Sequence, residues 1–250
     1  MPKLIILGTS NAISHPQHEN THMVLIGEKR TLLIDGPGNP LVRLRHAGVH
    51  QDQVTDILLT HYHPDHVSGI PLLLMGIGLG ERTTPLRIYA NEDCMRHLTD
   101  SLVAFEWQSW RLSTLNFIPL PDEPLYEVFD SDEFTVCTSP VQHYVPTLGL
   151  RIMIKATGKV LAYSADTAPT PAVIELARGA DLLIHEATGA AVGHSSATQA
   201  GEIAREAGVK ELLLIHYPCY DTNFDQIKQA ASDAFGQPVQ LAQDFQEVPL

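Results

Sequence analysis

Short apolar runs recur along the chain, each closed by glycine or a polar residue: KLIILG, HMVLIG, TLLIDG, DILLT, LRIYA, FTVCTS, GLRIMIK, KVLAYSA, DLLIHEA and ELLLIHY. Brief stretches of Ile, Leu and Val bounded in this way read as buried strands. Between several of them the apolar positions fall at helical spacing, over 41–47, 92–105, 171–178, 197–207 and 224–235. Turns at 27–30 and 157–159 close hairpins, so the pattern predicts an α/β sandwich with two mixed sheets inside and helices outside. No low-complexity tract or linker divides the chain, and residues 1–250 read as one domain. The one proline-dense stretch, PLPDEP at 119–124, marks the boundary between its two halves.

Four predicted strands end directly in ionisable residues. DILLTH stops at His61, LAYSAD at Asp166, DLLIHE at His185 and Glu186, and LLLIHY at His216. In α/β sheets the carboxyl ends of strands open on a shared crevice, so these groups are expected to converge. The stretch THYHPDH, residues 60–66, concentrates three histidines and an aspartate. Imidazole and carboxylate suit Zn²⁺ and its first-row neighbours. His61 and His63 can aim at one ion from a strand end; Asp65 and His66, beyond the turn at Pro64, can reach a second. Further ligands must come from elsewhere, and His143, Asp166 and His216 each follow a predicted strand.

HxHxDH, a lone histidine, an aspartate in YSADT and a histidine after an apolar strand together resemble the metallo-β-lactamase superfamily. The segments LGTSNA, HYVPTLGLRI, YSADT, HEAT and GHSSATQA are similar to motifs of its ribonuclease Z branch, in the same order. The resemblance implies a four-layered αβ/βα sandwich, a homodimer and a dinuclear site. It implies His61, His63 and His143 on one ion, Asp65, His66 and His216 on the other, and Asp166 bridging both. Zinc is the expected metal because histidines dominate, with manganese the alternative. Asp166 stands where true β-lactamases carry cysteine, which turns the expectation away from antibiotic hydrolysis. Ala165 replaces the glycine of the family form SGDT, and only 22 residues separate His143 from Asp166. That interval holds a hairpin, not the long arm with which ribonuclease Z grips tRNA.

The expected reaction is hydrolysis of a phosphodiester (small, cyclic or RNA) by a hydroxide bridging two ions, which together lower its pKa. Asp65 binds metal and orients that hydroxide. His194 lies just before Ser196 and Gln199, a capping box opening the helix at 197–207, and is the candidate proton donor to the leaving alkoxide. Glu186 is expected to orient a histidine, and Asp35 to support the THYHPDH loop. Hydrolysis of a lactone, thioester or sulfate ester on the same metals is the alternative reading. A non-catalytic metal-binding or cofactor-biosynthesis protein is the third. Trp107 and Trp110 read as core, pocket wall or dimer face, and His15, His18 and His22 as a loop around Pro16.

Charge narrows the partners. The formal net charge is -13 and Arg82, Arg87 and Arg111 form no basic stripe, so DNA is not an expected partner. The longest apolar run, 70–80, is interrupted by Pro71 and glycines and is too short to span a bilayer. The opening MPKLIILGTS reads as a first strand, not a signal peptide. Cys94, Cys137 and Cys219 make no CxxC pair, which suits a reducing, cytoplasmic setting.

Overall fold

The computed structural model describes residues 2–80, 82, 84–110, 112 and 115–250; Arg111 lies outside them. The first sheet contains β1 (Lys3–Gly8), β2 (His22–Ile26), β3 (Thr31–Ile34), β4 (Asp56–Leu58), β5 (Leu86–Asn91) and β6 (Leu115–Leu120) in sequence order. Its connections hold α1 (Pro40–His46), α2 (Pro64–Val67), α3 (Ile70–Leu79) and α4 (Glu92–Ala104). The second sheet runs from β7 (Tyr126–Asp130) through β8 (Phe134–Val141), β9 (Thr147–Ile154), β10 (Val160–Tyr163), β11 (Leu182–Glu186) and β12 (Glu211–Ile215) to β13 (Gln240–Leu241). It carries α5 (Pro171–Ala177), α6 (Ala197–Ala207) and α7 (Phe224–Phe235), and β14 (Glu247–Val248) returns to pair with β1. Each sheet is antiparallel in its first members and parallel from β3 and from β10 onward.

Alternation explains why the strands read as unbroken apolar runs. In β1, Leu4 and Ile6 face Phe134, Ile152 and Tyr163 of the second sheet, while Ile5 and Leu7 face the outer helices. Both faces of each sheet are covered, so both registers must be apolar. The layers follow in the order helix, sheet, sheet, helix, as expected. The chain first changes sheet between β6 and β7, inside the proline-dense stretch.

Several elements depart from the apolar pattern. β6 and β7 are edge strands with half-exposed residues, so neither shows a clean run, and an edge also tolerates Pro119. The 70–79 run is a helix whose Pro71 sits in the first turn, where no N–H partner is lost. Gly78 lets the Trp110 carbonyl cross it, since a Cβ there would lie 2.1 Å from that oxygen. Trp107 and Trp110 pack half-buried on the outer layer of the first sheet, with Trp107 5.8 Å from Phe117. They follow α4 at its carboxyl end, away from the strand ends that carry the histidines, and so belong to the core. His22 is not a loop residue: it opens β2 and is fully buried. Among the described residues no helix is long and apolar enough to cross a membrane.

At the end of the first sheet remote from the strand carboxyl ends, the buried Asp56 carboxylate joins Arg30 (Nε, 3.0 Å) to Arg87 (Nε, 2.6 Å). Burial disfavours its charge, but hydrogen bonds from Arg87, Arg30 and Thr55 outweigh that and hold the carboxyl below its ordinary pKa. The depressed pKa contributes stability above the unfolded carboxyl value and loses it as pH falls through the folded one. Asp56→Asn is therefore expected to cost about 2–4 kcal/mol near neutrality, leaving two half-buried guanidinium groups uncompensated. It should also flatten the acid limb of the Tm profile below about pH 4, measured by thermal denaturation across pH.

Candidate metal centre

The strand ends converge as the sequence predicts. After β4, Thr60 and His61 lie fully buried, and His63 leads into α2, whose Pro64 starts a turn that presents Asp65 and His66. β8 delivers His143, β10 delivers Asp166, and β12 delivers His216. Three of these edge turns use non-glycine residues in the left-handed region: Asp35 (φ 59°), Ala165 (φ 51°) and His216 (φ 53°). That conformation costs an L-residue roughly 1–2 kcal/mol, which accounts for the family's glycine where this chain has Ala165.

Two groups result. Ligand atoms of His61, His63, His143 and Asp166 all lie within 4.8 Å of one another, and so do those of Asp65, His66, Asp166 and His216. Asp166 belongs to both. Its Oδ2 is 3.9 Å from His61 Nε2 and His143 Nε2, and 3.5 Å from His66 Nε2 and His216 Nε2. Asp65 Oδ2 stands 3.6 Å from His66 Nε2 and 3.4 Å from His216 Nε2. All seven predicted ligands are thus present at one edge, four from the first sheet and three from the second.

The hydrogen-bond network assigns the tautomers. His61 Nδ1 donates to Thr60 Oγ1 (3.0 Å), which donates to Asp35 Oδ2 (2.9 Å). His66 Nδ1 donates to Asp35 Oδ2 (2.9 Å), His143 Nδ1 to the Gly193 carbonyl (2.7 Å), and His216 Nδ1 to Thr188 Oγ1 (2.8 Å). Each Nε2 therefore turns inward as an unprotonated donor atom, the arrangement seen around metal-bound histidines. His63 instead turns Nδ1 inward, 3.0 Å from His61 Nε2 and 3.1 Å from His143 Nε2. Three inward lone pairs at that spacing repel unless a cation lies among them. His66 Nε2 and Asp166 Oδ1 are buried without a hydrogen-bond partner, so the donor set fits a pair of divalent ions.

The electrostatics agree with this division. Burial holds His61 well below the ordinary imidazole pKa and lowers His63 and His143, keeping all three neutral. Burial also opposes charge on Asp166, but His216 and His66 outweigh it and push its carboxyl well below the usual range. His66 departs from that pattern: Asp166 and Asp35 outweigh its burial and raise its pKa well above the ordinary value, which favours a proton on Nε2 that a bound cation would have to displace.

His194 stands beside the cluster, its ring 4.8 Å from that of His143 and 6.0 Å from that of His216. Its Nδ1 is 2.8 Å from Glu186 Oε1, which also accepts the Thr167 and Ser195 backbone N–H groups, at 3.0 and 3.2 Å. Burial opposes charge on His194, yet Glu186 raises its pKa. Glu186 and His185 point to opposite faces of β11, and His185 is fully buried behind the sheet. Asp35 accepts the Thr60 backbone N–H at 2.8 Å and grips the THYHPDH loop without joining either ligand group. Thr60, Thr188 and the Gly193 carbonyl, which orient three ligands, carried no signal beyond their place in quoted motifs. His15 and His18 pair with each other across a turn and lie in neither group.

The β-lactamase superfamily domain profile matches residues 30–217. The ribonuclease Z of Methanothermobacter thermautotrophicus is 28% identical over 94% of this chain and 92% of its own. That alignment runs over 290 positions, so the relative holds segments this 250-residue chain lacks. The metallo-β-lactamase fold protein YhfI from Bacillus subtilis superposes with a TM-score of 0.83, covering 99% of this chain and 98% of its own at 24% identity. The short form of human tRNase Z does so at 0.78, covering 100% and 99% at 25% identity. The chain belongs to the β-lactamase superfamily domain family, with its similarity on the ribonuclease Z-like side.

Proposed function

We propose that this chain is a dinuclear metal-dependent hydrolase that cleaves phosphodiester bonds. The observation that carries the reading is the Asp166 carboxylate, buried and shared between two ligand groups that each draw on both sheets. His61, His63 and His143 would hold one ion, Asp65, His66 and His216 the other, and Asp166 both. Zinc fits the histidine-rich set best. When bound, such a pair supplies hydroxide near neutral pH and positive charge against the phosphoryl oxygens.

The chain's own groups handle the protons. Asp65 is the exposed member of its group at 13% and can accept the proton of the attacking water. His194, fixed at Nδ1 by Glu186, presents Nε2 to the leaving oxygen, and the raised pKa keeps a proton available there. An alkoxide leaving group needs that proton; a lactone opens without it, and the presence of a dedicated Glu186–His194 pair favours the phosphodiester. Both sheets are required for the site, which supports one catalytic unit over 1–250. The family resemblance supports a homodimer, and three unpaired cysteines support a cytoplasmic setting.

Elemental analysis of protein purified without chelator is expected to find two metal equivalents per chain, and Asp166→Ala to lose at least one. Chelation should lower the Tm of the wild type by more than that of the variant. His194→Ala is expected to slow hydrolysis of an unactivated alkyl diester by about 10²–10⁴-fold while leaving bis-p-nitrophenyl phosphate within about tenfold. Equal losses on both substrates would remove His194 from the acid role, and turnover of a lactone alone would replace the phosphodiester reading.

A further inference from the structure

The loops that leave the strand ends at the metal edge are 9–22, 35–40, 59–69, 142–147, 164–170, 186–196 and 216–223. None contains a lysine or arginine, although the chain has 16. On the flanking elements Arg43 binds the Leu7 carbonyl and Asp244, Arg151 binds the Leu176 carbonyl and Arg96 binds Asp93, while Lys228 of α7 lies in a pocket with Gln17, His18 and Tyr217, beyond the ligand groups. The same loops carry exposed apolar groups instead. Tyr144 is 61% exposed, Val192 77%, Ile13 66% and Tyr220 51%.

Tyr144 has the most defined seat. It follows His143 directly, and its ring lies 5.2 Å from that imidazole and 6.2 Å from that of His194, the proposed proton donor. Beneath it is Gly193, at φ +74°, where a Cβ would come within 3.1 Å of both the Tyr144 ring and His143 Nδ1. The bare backbone lets the ring settle there while its outer face stays open. Asn91, donating to the Pro146 carbonyl at 2.8 Å, anchors the loop to β5.

We propose that the substrate is a small nucleotide-like phosphodiester with a single phosphate, whose planar base stacks on Tyr144, and that polymeric RNA is not bound at this edge. The proposal rests on the phosphodiester reading and names its substrate class. A polyanion needs several cations along its path, and here the path offers none against a net charge of -13. One phosphate needs only the metal pair. A base stacked on an exposed tyrosine beside His194 gains affinity with no charge at all.

The test compares metal-loaded wild type, Tyr144→Ala and Tyr144→Phe on a nucleoside 3′,5′-cyclic phosphate, a dinucleoside monophosphate, a glycerophosphodiester and a precursor tRNA. The Ala variant is expected to raise KM for both nucleoside substrates about five- to a hundredfold with kcat little changed, and to leave the glycerophosphodiester unaffected. The Phe variant should match wild type. For wild type, kcat/KM on the dinucleoside should change less than about twofold between roughly 0.05 and 0.5 M salt. Efficient tRNA cleavage with steep salt dependence, or equal losses on base-bearing and aliphatic diesters, would overturn the proposal while sparing the hydrolase reading. If no diester is turned over, the phosphodiester reading falls. Calorimetric binding of a nucleoside monophosphate then decides the platform: weakening confined to the Ala variant supports it, and unchanged affinity overturns it.

Discussion

One carboxylate between two sets of imidazoles is the constraint on which the rest of this structure depends. Asp166 is fully buried, as are His61, His66 and His216, and the inward nitrogens of His61, His63 and His143 approach to about 3 Å. Packing so many desolvated polar groups with unshared lone pairs is costly, and hydrogen bonds among them satisfy only part of it. Divalent cations would turn the same cluster from a liability into a stabilising centre, because every inward atom would then be paired. The fold is arranged around that balance.

Its architecture serves the balance in two ways. The candidate ligands come from both sheets, so docking the sheets completes the site, and a bound metal would in turn reinforce the seam between them. Outer partners then fix four of the five rings, all but His63: Asp35 and Thr60 on one side, Thr188 and the Gly193 carbonyl on the other. Left-handed turns at Asp35, Ala165 and His216 bend the chain sharply at the edge, and the surrounding contacts sustain that strain where function gathers. Glu186 and His194 are hydrogen-bonded at the rim beside His216, where the proposed mechanism needs a proton donor.

The sequence carried these features unequally. Strands covered on both faces announced themselves as apolar runs, and helices α6 and α7 fell within their expected bounds because Ser196, Gly208 and Gly236 cap them. The edge strands β6 and β7 escaped notice, since half their residues face solvent and pairing on one side demands no continuous run. The 70–79 helix was masked by an apolar composition without a polar stripe, and His22 by its neighbourhood of loop histidines. The seven clustered side chains were legible because local spacing and family motifs agreed. Their tautomers were not, because Thr188 and Gly193 orient them from loops far away in the chain.

Charge and site chemistry point the same way. An edge without lysine or arginine suits a reaction whose charge is handled at the metals, with the rim left to exposed tyrosine and aliphatic groups. The central claim is the shared carboxylate, and anomalous diffraction at the zinc edge from crystals of the zinc-loaded protein tests it most directly. Two peaks flanking Asp166, one against His61, His63 and His143 and one against Asp65, His66 and His216, are the predicted result. A single peak, or ions bound away from Asp166, would contradict the account.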